Sequence, residues 1–181
     1  MTTPNEDCLL VLRNDEVVVG LLPQVGGRVV LLRRPDGANV LKSDPKLWDT
    51  TQSPPPEPSA EASFSAYNGH ITWLGPQSGW WMAQSLNTAR RDEAAPWPPD
   101  PWLIYAQYDV TEQTDNRVVL RGPKSPVSGV QLTKTVTLSA EGAVTVSAEV
   151  RNIRNEAVCW DVWSNTRMAG TCRAYVPLHP N

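Results

Sequence analysis

The residues best suited to chemistry lie together in Tyr67-Asn-Gly-His-Ile-Thr-Trp-Leu-Gly-Pro-Gln-Ser-Gly-Trp-Trp81. This stretch holds one of the two histidines, His70, and three of the eight tryptophans, Trp73, Trp80 and Trp81. Large flat aromatics beside a few fixed polar groups suit a polar ligand with apolar faces. A sugar is such a ligand: its C–H faces stack on indole, and its hydroxyls need donors and acceptors. His70 could hydrogen-bond a sugar hydroxyl or ring oxygen, or act as a general acid near neutral pH. The competing reading is a structural histidine bonded to a neighbouring carbonyl.

Other candidates lie outside this stretch or carry a reservation. Arg28 follows a Gly26-Gly27 turn, from which its side chain could reach across a binding face; the alternative is a solvated arginine at a strand end. Gln77 can donate to and accept from a hydroxyl, but an amide cannot act as a base. If Trp80 and Trp81 lie on a strand, they point to opposite sides, so Trp73, Trp80 and Trp81 are not all expected in the core. Trp160 and Trp163 are split by the same parity, which puts Asp161 and Asn165 on the face of Trp163. Asn165 and Arg167 are then candidates for polar ligand contacts, with an ordinary strand surface as the competing reading.

Composition narrows the function classes. The chain has 181 residues, 40% hydrophobic and 19% charged, as expected for one folded domain with a real core. Its net charge is −3 and no Lys/Arg stripe runs along it, so nucleic acid is not an expected partner. No apolar run approaches the ~20 residues that span a bilayer, and no membrane partner is expected. The N-terminus lacks a basic region, and Cys8-Leu-Leu-Val-Leu12 is too short for a signal peptide; the expected compartment is the cytoplasm. Cys8, Cys159 and Cys172 are odd in number and form no CxxC pair. A Cys159–Cys172 disulfide is conceivable, but reduced thiols fit a cytosolic chain better. No cofactor motif and no metal-ligand spacing occur, so neither a cofactor nor a metal is expected.

The elements that must position these residues read as almost entirely β. Glu16–Leu22, Arg28–Arg33 and a strand starting at Asn39–Leu41 form an antiparallel meander, punctuated by Gly26-Gly27 and Pro35-Asp-Gly37. Residues 44–66 and 92–101 are proline-rich loops, including Ser53-Pro-Pro-Pro-Glu-Pro58 and Ala95-Pro-Trp-Pro-Pro-Asp-Pro-Trp102. Trp97 and Trp102 could pack over a ligand face or cap the edge of the core. Strands follow at Trp102–Val110 and Arg117–Arg121. Val130–Leu138 and Ala143–Val150 alternate with period two around Glu141-Gly142 and predict a hairpin. The first puts Val130, Leu132, Val136 and Leu138 on one face; the second puts Val144, Val146, Ala148 and Val150 inward. Val158–Trp163 and Arg173–Val176 complete the list. No segment of ~10 residues carries a helical stripe with caps. The fold class is all-β, an antiparallel β-sandwich. Since the chain stops at His179-Pro-Asn181 directly after a strand, the domain, residues 1–181, is expected to be incomplete at its C-terminus. An open sheet edge would then allow a homodimer.

Three motifs in this order carry a resemblance to a known family. Leu22-Pro-Gln-Val-Gly-Gly-Arg-Val-Val30, with Gly37-Ala-Asn-Val-Leu41 after it, is similar to a Pro-x-x-Gly-Gly-Arg-Ile strand pair followed by Gly-x-Asn-x-Leu. Gly69-His-Ile-Thr-Trp-Leu-Gly-Pro-Gln77 is similar to Gly-His-x-x-Trp-x-x-Pro-Glu/Gln. The long hairpin from Leu132 to Asn152 leads into Trp160-Asp-Val-Trp-Ser-Asn165. The chain thereby resembles the galactose mutarotase-like superfamily, the aldose 1-epimerase-like β-supersandwiches, and within it a branch classed as a domain of unknown function. The resemblance runs from about residue 17 to 176 and covers an N-terminal part of that fold.

The resemblance implies a face that binds a small-molecule carbohydrate. Mutarotation needs a base for the anomeric hydroxyl and an acid for the ring oxygen. The family's epimerases use a histidine and a glutamate late in the chain. No glutamate follows Glu156 here, and Gln77 stands where many relatives carry glutamate. The first expectation is therefore a carbohydrate-binding β-sandwich without complete catalytic machinery, its contacts drawn from Arg28, His70, Trp73, Gln77, Trp80, Trp81, Trp163 and Asn165. A phosphate would need more cations than Arg28 and Arg167, so a neutral sugar is favoured. The alternatives are an aldose 1-epimerase-like isomerase with His70 as a catalytic group, and a non-enzymatic protein-interaction domain.

Overall fold

The computed structural model describes residues 4–173 and residue 175. Two antiparallel sheets face each other. The first has five strands in the order β1 (Leu10–Arg13), β2 (Val18–Leu22), β3 (Arg28–Arg33), β4 (His70–Gly75) and β9 (Asp161–Thr166). The second has four, β5 (Asp109–Gln113), β6 (Arg117–Lys124), β7 (Val130–Leu138) and β8 (Val144–Asn152). The chain is an all-β sandwich whose α-helices, among the described residues, are two short pieces, α1 (Thr88–Asp92) and α2 (Pro101–Ile104).

Hydrophobic patterning explains how differently the two sheets are covered. β2 reads Val-Val-Gly-Leu-Leu without alternation, and all five residues are buried. A strand with both faces covered needs apolar residues at every position. β7 alternates strictly, with every second residue buried from Val130 to Leu138, and β8 answers it with Val144, Val146, Ala148 and Val150 half-buried. These two pair in unbroken register from Val130↔Asn152 to Leu138↔Val144. The second sheet therefore has one wet face, whereas the first, exposed at its edge strand β9, is covered on both along its central strands β2, β3 and β4. Segments between β3 and β5 help cover it and bring Trp48, Tyr67, Trp80, Trp81, Leu103, Ile104, Tyr105 and Tyr108 into the core. Each large apolar side chain so buried contributes roughly 1.5–3 kcal/mol.

Several elements differ from the sequence reading. Leu10–Arg13 is an additional strand, β1, paired with β2. Asn39–Leu41 starts no strand: the Asn39 side chain accepts from the Leu32 and Leu41 amides and donates to the Val30 carbonyl, satisfying backbone groups that a paired strand would satisfy. Only Leu41 makes a bridge, to Met168. The strand expected over Trp102–Val110 is instead helix α2, with strand β5 beginning at Asp109. Asp100 caps α2 by accepting from the Trp102 amide, and Pro101 occupies its first turn, a standard helix start. The strand expected at Val158–Trp163 runs over Asp161–Thr166. Of Arg173–Val176, Arg173 and Tyr175 lie outside any strand; Ala174 and Val176, like His179, lie outside the described residues.

Among the described residues, no helix is long and apolar enough to cross a membrane. Cys8, Cys159 and Cys172 are free thiols.

Candidate functional site

Sheet register sorts the candidate residues onto two faces. Ile71 pairs with Asn165 and Trp73 with Trp163, so these four side chains leave one face of the first sheet. His70 pairs with Thr166 and with Val29, and so points the other way. Arg28, one residue before Val29, returns to the face of Trp73.

On that outer face lies a pocket of about 140 Å³. Its floor is Ile71, Trp73 and Asn165 on adjacent strands β4 and β9; Arg28 and Arg167 supply charge, and Phe64, Ala66, Asn68 and Ile104 close it. Four residues nominated from the sequence, Arg28, Trp73, Asn165 and Arg167, thus meet in one cavity. Among the described residues, no carboxylate and no imidazole lines it. Phe64, Asn68 and Ile104 were not nominated; Phe64 and Ile104 sit in segments whose irregular or helical backbone carries no periodic signal.

Arg28 is the best-fixed group here. It is 4% exposed. Its Nε donates to the Val25 carbonyl at 3.0 Å, Nη1 to Asn68 at 2.9 Å and Nη2 to Ile104 at 2.8 Å. Its guanidinium lies over the Tyr67 ring, 5.4 Å from the centroid. Burial pulls its pKa down to about 10, with the nearby tyrosines Tyr105, Tyr67 and Tyr108 opposing. The backbone reaches this geometry through left-handed residues. Asn68 and Gly69, at φ 57° and 71°, turn the chain into β4. A Cβ on Gly69 would stand 2.3 Å from the Val29 carbonyl oxygen, so only glycine permits the approach.

The aromatic wall is a cluster. Trp73 meets Trp80 edge-on at 5.8 Å and Trp97 at 5.9 Å, and Trp97 meets Phe64 at 4.6 Å between centroids. The Trp73 indole Nε1 is buried with no acceptor among the described residues. At the mouth, Arg167 is exposed and its Nε donates to the Asn165 Oδ1 at 3.2 Å.

The remaining candidates fall elsewhere. Trp80 and Trp81 do not lie on a strand: they follow a 3-10 turn over Gln77–Gly79, so parity does not separate them. Trp73, Trp80 and Trp81 are all buried, contrary to the expectation that one would face outward. Trp80 donates from Nε1 to the Leu74 carbonyl, and Trp81 to the Pro98 carbonyl. The Arg90 guanidinium stacks 4.4 Å from the Trp81 centroid. Gln77 donates to the Pro96 carbonyl at 2.6 Å. Trp163 is 40% exposed and packs against Gly75, where a Cβ would stand 2.2 Å from its indole.

His70 looks into the gap between the sheets. Its Nδ1 shares a 2.8 Å hydrogen bond with the Thr166 hydroxyl, and its buried Nε2 has no partner among the described residues. It borders a second cavity, about 280 Å³, lined otherwise by Thr166 and the aliphatics Val29, Leu32, Leu41, Val144 and Val146. Burial lowers its pKa, and the charge of Lys134 lowers it further. Lys134 itself was missed by sequence reading, although it sits mid-strand among Val130, Leu132, Val136 and Leu138 and shares their inward parity. It is 2% exposed, donates to the Gly26 carbonyl at 2.7 Å and lies over the Tyr108 ring. Burial first, then the Arg28 charge, pulls its pKa to about 7.

Among the described residues, no group of three or more His, Cys, Asp or Glu is arranged to hold a metal ion. No curated protein and no solved structure matches the chain. A family described as "Domain of unknown function (DUF4380)" matches residues 9–181. That match spans nearly the whole sequence, and the chain belongs to the DUF4380 family.

Proposed function

We infer that the chain binds a carbohydrate in the pocket between Arg28, Trp73, Asn165 and Arg167. The observation that carries this reading is the makeup of that pocket. An indole and a phenyl ring give it apolar walls, while two carboxamides and two guanidiniums are spaced around them. Monosaccharides need this combination of ring faces for C–H surfaces and divided donors and acceptors for hydroxyls. A volume of about 140 Å³ suits one small ring, or the terminal unit of a longer glycan, rather than an extended polymer. Descent from the galactose mutarotase-like superfamily is part of the same proposal, supported by the order of the three motifs and by the two antiparallel sheets.

Turnover is not part of this reading. Ring opening needs an acid and a base at the anomeric centre. Among the described residues, the pocket lining contains neither a carboxylate nor an imidazole, and His70 leaves the opposite face of the sheet. Binding without anomer exchange is the expected behaviour. The packed state of the proline-rich loop also weighs against a protein-interaction domain: Asn87 donates to the Ala60 carbonyl, and Arg90 to those of Glu61 and Ala62, tying the segment down.

The test is calorimetric titration with a panel of aldoses, beside NMR exchange spectroscopy of their anomers. Asn165→Ala is expected to weaken binding about tenfold, the scale of one lost hydrogen bond to a ligand. His70→Ala is expected to leave affinity within about twofold. Loss of binding in the His70 variant with an intact Asn165 response would move the site to the inter-sheet cavity. Anomer exchange catalysed by the wild type would restore the isomerase reading.

A further inference from the structure

We propose that the sugar held in this pocket carries a carboxylate, as a hexuronic acid does, and that this carboxylate lies between Arg28 and Arg167. The inference rests on the carbohydrate reading above and narrows it to a substrate class.

The chain contains its own control for a buried arginine. Arg33 is buried too, and its Nη2 donates to both carboxylate oxygens of Glu6 at 3.0 and 3.1 Å. A guanidinium removed from water needs such a counter-charge. Arg28 has none among the described residues: its three acceptors are carbonyls, which solvate the cation without neutralising it. Those bonds also leave part of its N–H fork over. Arg167 adds a second guanidinium at the mouth.

Among the described residues, the lining thus holds two formal positive charges and no acid, on a chain whose net charge is −3. A neutral sugar would satisfy the carboxamides and stack on Trp73 yet leave that local field unanswered. A carboxylate answers it: the charge is single, planar and matched to guanidinium geometry. A phosphate dianion fits less well, since one of the two guanidiniums already spends three donors on the backbone. The contrast with the interior Glu6–Arg33 pair identifies the gap as a feature of the pocket rather than of buried arginines in this fold.

The experiment compares D-glucuronate and D-galacturonate with D-glucose, D-galactose, glucose 6-phosphate and acetate, in wild type and Arg167→Gln, at low and high salt. Arg167 is exposed, so its replacement leaves the fold intact, which a thermal melt verifies. The expected result is a uronate bound at least tenfold tighter than its neutral parent and tighter than the sugar phosphate. That advantage is expected to shrink in Arg167→Gln and at high salt, where charge contacts are screened. Equal binding of uronate and neutral sugar would overturn the carboxylate assignment while leaving the carbohydrate site standing. Acetate binding as tightly as glucuronate would also overturn it, leaving a simple anion site. Binding of no member of the panel would remove the carbohydrate reading and this inference with it.

Discussion

Arg28 and Lys134 lie in the interior, each held by backbone carbonyls, with no carboxylate paired to either among the described residues. Their burial has separable consequences. Lys134 has a folded pKa of about 7 against an ordinary 10.5, so between those values the unfolded chain binds the extra proton. Stability therefore rises with pH from about 7 to 10.5, with a limiting slope of about 1.4 kcal/mol per pH unit for one proton. Urea unfolding at stepped pH is expected to show this rise in wild type and to lose it in Lys134→Met; parallel curves would show that the lysine stays charged and solvated. Arg28→Gln leaves at least two of three buried carbonyls short of a donor and is expected to cost roughly 3 kcal/mol, whereas the exposed Arg167→Gln should stay within about 0.5 kcal/mol. Chemical denaturation of both variants checks the contrast. Similar losses would mean that Arg167 is as structural as Arg28.

At the scale of elements, the site depends on how β4 is delivered to the edge of β3. Asn68 and Gly69 are both left-handed, the Gly69 amide donates to the Lys42 carbonyl, and the Arg167 amide donates to the Gly69 carbonyl. Gly69→Ala must both strain φ and push a methyl onto the Val29 carbonyl. A loss of more than about 2 kcal/mol is expected, with disruption of the pocket beside it; a midpoint of unfolding unchanged from wild type would contradict the close approach. The strand patterns were legible because burial imposed them: the alternation of Val130–Leu138 and the continuous run of Val18–Leu22 follow directly from one-sided and two-sided cover. The same alternation also marked Lys134 as inward, but a charge at that position reads as an exception until its acceptor, Gly26, is seen across the sandwich. Helix α2 was signalled by Asp100-Pro101 but hidden by the β-rich residues after it. Trp80 and Trp81 misled because strand parity has no meaning after the turn at Gln77–Gly79. Asn39 shows the general limit: its side chain substitutes for strand pairing, a long-range role that local pattern does not encode.

For the whole molecule, the sandwich separates two chemistries. The gap between the sheets holds His70, Lys134 and an aliphatic cavity, while the outer face of the five-stranded sheet holds the guanidiniums, the carboxamides and the tryptophan cluster. Among the described residues, strands β8 and β9 are outermost in their sheets, and β9 carries exposed Val162 and Trp163. Unpaired strand edges with exposed apolar residues template association. A concentration-dependent dimer on size-exclusion chromatography, weakened by Val162→Lys, is the expected behaviour; a monomer at every concentration would contradict it. The central claim concerns the outer face, and the most direct measurement is a ¹⁵N NMR titration that follows the tryptophan indole and asparagine side-chain signals as D-glucuronate is added. Trp73 Nε1 has no acceptor within the described fold, whereas Trp81 Nε1 is bonded to the Pro98 carbonyl. Saturable shifts at Trp73, Asn68 and Asn165, with Trp81 and His70 unmoved, are the predicted result. Shifts confined to His70 and Val146, or none in the folded protein, would contradict a carbohydrate site on this face.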